Sequence, residues 1–244
     1  MPNQRNKWLP REPSAEARGR VFLIPYSGCG TSLYRKWPHR HDGVDLLPVE
    51  LPGHETRLTE PNVETYQELA KEMVAGLEPY LDLPYAFFGH CGSALAAYEV
   101  SSEITRAGLP RPARVYISSQ VAPQDGPLGR FLEMNDEELG EELAALSREL
   151  GTELNPSLIS FYVEVLREDV EINKRYVMPD PFRLSCPITT IGWTEDVEVR
   201  HDTMGGWPVC GETTFELLTG RHHRFIDAPP ELLRVLCDGL GSRG

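Results

Sequence analysis

Two hydrophobic rhythms alternate along this chain. Short runs of consecutive apolar residues are separated by stretches in which apolar residues recur three and four positions apart. Val21-Phe22-Leu23-Ile24-Pro25 predicts a buried strand running into a Gly-rich turn, and Leu46 to Leu51 a second strand closed by Pro52-Gly53. Leu69, Met73, Leu77 and Tyr80 mark a helix over 65–80. Tyr85 to Phe88 predicts a strand, Ala94 to Ile104 the helix after it, and Val115-Tyr116-Ile117 the next strand. Ile188 to Ile191 and Phe215 to Leu218 supply two more. Strands separated by helices imply an α/β fold, a mostly parallel sheet with helices on both faces.

One stretch breaks the alternation. From Phe131 to Tyr176 the pattern is helical throughout, with Leu139, Leu143, Leu146 and Leu150 in one stripe and Glu137, Glu138, Glu141 and Glu142 around it. Phe161, Val165 and Val170 extend the helical reading. The insertion, about 128–178, falls between two strands. Ligands of open α/β sheets bind outside the carboxyl ends of the strands, so it is expected to be a lid over the site.

Composition narrows the partners. A chain of 244 residues with a formal net charge of −13 fits one acidic domain and disfavours nucleic acid and anionic membrane. No apolar stretch reaches a membrane span. Residues 1–18 are polar, lack the apolar core of a secretory signal and are expected to be a flexible leader before a domain over 19–244. The five cysteines are scattered and form no C-x-x-C pair, which points to reduced thiols in a cytoplasm and to neither disulfides nor zinc. His39 and His41 lack a neighbouring carboxylate or cysteine cluster and are read as loop residues, so no metal is expected.

The chemistry concentrates at Phe87-Phe88-Gly89-His90-Cys91-Gly92-Ser93. An apolar strand ends in glycine, a sharp turn carries one reactive side chain, and a small-residue helix follows. This is the layout of a nucleophile elbow with Cys91 in the reactive slot. A thiol needs a base, and the base needs an acid to fix its tautomer. In this layout they follow in the order nucleophile, acid, histidine. Asp196, with Glu195 as competitor, stands just past the strand Ile188–Ile191. His222, with His223 as competitor, stands just past Phe215–Leu218. His90 is a neighbour on the elbow and is read as packing beneath it. The oxyanion hole is expected from the backbone N–H groups of Gly92 and of Ser27 in the loop Tyr26-Ser27-Gly28-Cys29-Gly30. Cys29 is a rival thiol without the strand–turn–helix setting. Tyr26, Trp193, Phe161 and Tyr162 are candidate lining residues, and Arg35, Lys36, Arg57, Arg167, Lys174 and Arg175 are candidate docking charges.

With these residues in place, the chain resembles the type II thioesterases of polyketide and nonribosomal peptide assembly lines, which are α/β-hydrolases. The resemblance runs through Phe22 to Gly28, Leu51-Pro52-Gly53-His54-Glu55-Thr56-Arg57-Leu58, the elbow, Leu166-Arg167-Glu168-Asp169 and Gly220-Arg221-His222. It implies the α/β-hydrolase fold with a helical lid, triad positions at Cys91, Asp196 and His222, and no cofactor of the enzyme's own. The substrate would be an acyl group on the phosphopantetheine of a carrier protein, and the enzyme a monomer.

The elbow departs from the family's usual G-H-S-M-G. Serine attack on a thioester gives an oxygen ester. Cysteine attack gives another thioester, of similar energy and still reactive toward a second thiol or an amine. Cysteine-bearing relatives resemble acyl or aminoacyl shuttles between carrier proteins. The loss of a bulky residue at position 92 is expected to widen the site. Three functions follow: an editing thioesterase that passes the acyl group to water, an acyltransferase, or a catalytically weak protein that docks carriers.

Overall fold

The computed structural model describes residues 6–149, 151 and 155–240. The strands are β1 (Gly19–Leu23), β2 (Arg40–His41), β3 (Val44–Pro48), β4 (Tyr85–His90), β5 (Arg114–Ser118), β6 (Ile188–Trp193) and β7 (Thr213–Leu218). They form one sheet in the order β2-β3-β1-β4-β5-β6-β7, parallel except for the antiparallel pair β2–β3. The helices are α1 (Tyr66–Leu77), α2 (Gly92–Arg106), α3 (Asp136–Glu149), α4 (Ile159–Arg175) and α5 (Pro230–Asp238). This is the expected mostly parallel sheet flanked by helices.

Every residue of β4 is buried, because helices cover both faces at the centre of the sheet. Helix α1 starts where Thr65 Oγ1 accepts the Glu68 N–H at 3.1 Å, a capped N-terminus. Its buried face, Leu69, Met73 and Leu77, is the predicted stripe. At the carboxyl ends the register aligns His90 with Ser118 and Trp193 with Leu218. The loops after β4, β6 and β7 therefore emerge side by side.

The pattern reading departs from the structure in four places. Residues 6–18, expected to be a loose leader, pack onto the domain: Trp8 and Leu9 are buried, and the Arg57 guanidinium lies 4.3 Å from the Trp8 ring centroid. Lone apolar residues in a polar segment leave no periodicity to read. The second strand covers 44–48 rather than 46–51, with Val49 N–H still donating to Leu23 O (2.9 Å) before the chain turns at Pro52-Gly53. His41, read as a loop residue, lies on the two-residue strand β2. The terminal helix α5, not anticipated, buries Leu232, Leu233, Leu236 and Cys237.

Helices α3 and α4 stand between β5 and β6 in sequence and share a small core of Leu132, Leu139, Leu143, Val163, Leu166 and Val170. Leu146 joins instead the cluster that contains Cys91. Leu150 lies outside the described residues. Beyond the end of α4, Tyr176 Oη donates to the buried Glu99 of α2 at 2.6 Å, tying the insertion back to the sheet layers.

Candidate active site

Cys91 occupies the turn between β4 and α2 with φ 55° and ψ −127°, a strained conformation for a residue with a side chain. Its N–H donates to Ser118 O at 2.9 Å. The turn closes so tightly that a Cβ on Gly89 would lie 2.2 Å from Ser93 O. Only glycine fits there. Ser93, the other hydroxyl of the elbow, faces down: its Oγ accepts from His90 N–H (3.0 Å) and donates to backbone carbonyls beneath. The one elbow side chain left facing the insertion is the Cys91 thiol. It is 6% exposed.

The loop after β6 brings in Asp196 and the loop after β7 brings in His222. His222 Nδ1–H donates to Asp196 Oδ2 at 2.8 Å. Asp196 also accepts from Ser119 Oγ (2.7 Å) and from the N–H groups of Glu198 (2.9 Å) and Val199 (3.0 Å). Burial pushes its pKa up, but these donors and His222 hold it below the ordinary carboxylate value. Burial alone would depress His222, yet the Asp196 hydrogen bond and the neighbouring Cys91 and Glu198 raise it to about 10. Its other nitrogen, Nε2, points to the Cys91 side of the site. Glu195 instead reaches out to Arg221 at 3.7 Å, and His223 Nδ1 pairs with Glu149 Oε2 at 3.0 Å. Folding thus pairs Asp196 with His222 and turns Glu195 and His223 to other partners.

His90 is buried beneath the turn, stacked on Phe225 with centroids 4.1 Å apart, and its Nδ1 meets Ser118 Oγ at 2.8 Å. Burial and the two nearby histidines keep its pKa well below the usual value, so it is neutral. Cys29 sits in the loop after β1, where burial and the Asp169 and Glu55 charges push its thiol up to about 12.

Ser27 and Gly92, the two expected oxyanion-hole residues, are adjacent. A Cβ on Gly92 would lie 3.0 Å from Ser27 Oγ, 3.2 Å from Tyr66 Oη and 3.4 Å from Asn173 Nδ2. The room expected from a small residue at position 92 is therefore filled by Tyr66 and Asn173. The lid holds this region from above. Asp169 of α4 accepts from the Gly28 N–H of the loop after β1 (2.7 Å), from His54 Nε2 (3.0 Å) and from Asn62 Nδ2 (3.2 Å).

Of the lining candidates, Tyr26 borders the site, with its ring edge-on to His222 at 6.1 Å and to Phe131 at 5.8 Å. Trp193 does not. It is fully buried in the core, its indole N–H donating to Ser118 Oγ at 3.1 Å, because β6 is covered where this ring emerges. Tyr162 lines a separate cavity of about 250 Å³ between the Gly28–Gly30 loop and helices α3 and α4, and Phe161 is partly exposed. Arg57 is no docking residue: it is buried, bound to Glu60 and to Glu50 O. Lys36 pairs with Asp227 (2.7 Å), Lys174 with Glu171 (3.0 Å) and Arg167 with Asp136.

The space at the sulfur is small. Tyr26, Ser27, Gly129, Phe131, Val170 and Asn173 enclose about 10 Å³ around Cys91. An open cleft of about 990 Å³ reaches His222 from outside, past Arg130, Leu146, Glu149 and Glu198. Glu198 was not anticipated. Its Oε2 lies 3.6 Å from His222 Nε2 and its Oε1 3.8 Å from Arg130 of the lid segment. Its position two residues after Asp196 carried the only signal, and a loop acid is ordinarily solvated.

The chain is similar to known proteins over nearly its whole length. A family model described as a thioesterase domain matches residues 19–238. RedJ, a thioesterase from the prodiginine biosynthetic pathway in Streptomyces coelicolor, is 30% identical, with a TM-score of 0.76 over 96% of this chain and 98% of that one. The gramicidin S biosynthesis protein GrsT of Aneurinibacillus migulanus is 26% identical over 98% of this chain and 95% of its own. Thioesterase PikA5 of Streptomyces venezuelae is 26% identical over 96% of this chain and 85% of its own. YbtT, a type II thioesterase of the yersiniabactin pathway, shares the fold with a TM-score of 0.81 at 20% identity, over 94% of this chain and 96% of that one. Among the described residues no helix is long and apolar enough to cross a membrane.

Proposed function

Because the chain belongs to the thioesterase domain family, we propose that it processes acyl groups held as thioesters on the phosphopantetheine of a carrier protein, through an acyl-enzyme on Cys91. The pathway class, polyketide or nonribosomal peptide biosynthesis, rests on relatives named for such pathways. The observation that carries the chemistry is the Asp196–His222 hydrogen bond beside the single thiol of the elbow.

His222 Nε2 takes the Cys91 proton, and the sulfur attacks the thioester carbonyl. The oxyanion that forms lies at the N-terminus of α2, where backbone N–H groups and the positive end of the helix dipole favour negative charge. The intermediate collapses by breaking the bond to the carrier sulfur, which leaves with the proton from His222. The acyl group is now a thioester of Cys91. A second acceptor gives its proton to His222, attacks the same carbonyl, and expels the Cys91 sulfur.

Water and a carrier thiol compete as acceptor. The closed space at the sulfur is at the limit of what holds one water molecule, about 10–15 Å³, so it must open for either acceptor. Transfer is favoured by a thioester intermediate, which keeps its acyl-donor reactivity. Arg130, Phe131 and Leu132 would have to move to admit an acyl chain. Hydrolysis is the second reading, supported by the relatives named thioesterases.

Intact-protein mass spectrometry decides, with acyl-loaded carriers and with or without an unloaded second carrier. An adduct on Cys91 that moves to the second carrier is the expected result. Free acid without gain on the acceptor makes the enzyme an editing hydrolase. An adduct on Cys29, or none at all with any loaded carrier, overturns the assignment.

A further inference from the structure

No metal-ligand spacing is visible in the sequence, yet folding gathers three metal-binding side chains at the mouth of the site. Glu198, His222 and His223 each present a donor atom within 4.8 Å of the other two. Their order along the chain is irregular for a metal motif, two adjacent histidines and a glutamate 24 residues before them, which is why only the fold reveals the group.

The two histidines are prepared in the same way. His222 Nδ1 is held by Asp196 at 2.8 Å, and His223 Nδ1 by Glu149 at 3.0 Å. In both rings the nitrogen left over is Nε2. Neither Nε2 has a hydrogen-bond partner of ordinary geometry among the described residues, and both atoms are buried. A carboxylate on the far nitrogen of each ligating histidine is the arrangement that orients imidazoles in metal centres and makes them stronger ligands. The third donor is an anion: Glu198 Oε2 stands 3.6 Å from His222 Nε2, close to the separation of about 3.3 Å that tetrahedral zinc imposes on its ligands. His222 is 4% and Glu198 10% exposed, while the open cleft gives an ion access from solvent. Two imidazoles and a carboxylate with a position left over suit zinc and its neighbours among the divalent transition ions.

We propose that Glu198, His222 and His223 form an inhibitory binding site for a zinc-class divalent cation. An ion there displaces any proton on His222 Nε2 and takes its lone pair, so that this nitrogen can accept no proton from the Cys91 thiol. No bond of the substrate is made or broken by the ion. The site is a switch: the same nitrogen is either a base or a ligand. Arg130, 3.8 Å from Glu198, competes for the carboxylate, so movement of the lid segment that carries it strengthens the metal site.

Binding is tested without reference to turnover, by titrating the protein with cobalt(II) and reading the visible d–d absorption of a low-coordinate ion. One cobalt per chain is expected in the wild type and in Cys91→Ser, with affinity weakened at least about tenfold in His223→Asn and in Glu198→Gln. Glu149→Gln, which loosens His223 at its far nitrogen, is expected to weaken it by about 10- to 100-fold. Zinc alone is then titrated against acyl-adduct formation, each variant being compared with its own chelator-treated rate. The wild type is expected to be inhibited and restored by chelator, and His223→Asn to need at least about ten times more zinc. Three results would overturn the proposal. One is a wild type without the cobalt band. Another is equal affinity in wild type and His223→Asn. The last is cobalt binding lost in Cys91→Ser but kept in the other variants, which would place the ion on the thiol alone.

Discussion

Four donors converge on the carboxylate of Asp196, and only one of them is a histidine. The other three hold the carboxylate in place, so His222 keeps a proton on Nδ1. Asp196→Asn places an amide where the acceptor was and reverses that preference. The rate of Cys91 acylation is expected to fall by about 10³- to 10⁴-fold with the fold retained, read by stopped mass spectrometry and circular dichroism. The choice between Asp196 and Glu195 was open in the sequence, because neighbours in a loop after a strand are equivalent until their directions are known. The same holds for His222 and His223. At Cys91 the element itself is informative: on the proposed acyl-enzyme, substitution by serine would change the intermediate from a thioester to an oxygen ester. With Cys91→Ser the ratio of free acid to transferred acyl group is expected to rise several-fold in the two-carrier assay. An unchanged ratio would sink the argument from sulfur.

One side chain of helix α4 reaches furthest across the fold. Asp169 bridges the loop after β1 and the connection from β3 to α1, and its partner His54 lies 115 positions away, so no window of sequence could pair them. The resemblance located both segments, and only the fold put one carboxylate between them. Burial alone would lower the His54 pKa, but the charge and hydrogen bond of Asp169 raise it to about 9, from about 6.5 in an unfolded chain. The sign follows from linkage. A raised folded-state pKa means a contribution to stability that is complete below about pH 6.5 and is lost as pH rises through about 9. The amount is on the order of 3 kcal/mol. His222 adds a loss of the same sign on the alkaline side, so the contribution of His54 is isolated by difference. Between pH 6.5 and 9 the wild-type melting temperature is expected to fall more steeply than that of His54→Gln. Parallel profiles would show that the His54–Asp169 pair does not hold the lid by charge. Short helices and edge pieces were the elements hardest to read. The strand β2 has two residues, too few for a period to declare itself, whereas α5 carries a regular stripe at Leu232, Leu233, Leu236 and Cys237 that the pattern reading passed over.

At the scale of the whole molecule, the alternation of strands and helices was legible because each buried strand and each helix face carries its own hydrophobic code, whereas the strand order came only with the structure. What a periodic code does not carry is contact between an isolated side chain and a distant surface. Trp8 is the example. A Cβ on Gly76 would lie 2.0 Å from its ring, so the indole fills a space that the glycine of α1 leaves open. Trp8→Ala is expected to destabilise the protein by about 3–5 kcal/mol in urea unfolding, where a true leader residue would contribute nothing. The insertion over Cys91 is the other long-range contact. Gly129 and Phe131 come from the segment before α3, yet they close over Cys91; a Cβ on Gly129 would lie 3.8 Å from the sulfur. Phe131 packs edge-on against Tyr26, which in turn borders His222. Removing the Phe131 ring unlatches this segment without touching the sulfur, the base or the acid. In Phe131→Ala, alkylation of Cys91 by iodoacetamide is expected to be about tenfold faster than in the wild type, because the thiol now spends more of its time open to solvent. Cys29, whose thiol is pushed up to about 12 by burial and the nearby carboxylates, is expected to stay essentially unlabelled in both proteins. The same opening admits water to the acyl-enzyme, so the share of free acid in the two-carrier assay is expected to rise as well. Faster labelling with no added hydrolysis would separate access of reagents from protection of the acyl group. No change in either would mean that the gate over Cys91 lies elsewhere in α3 and α4.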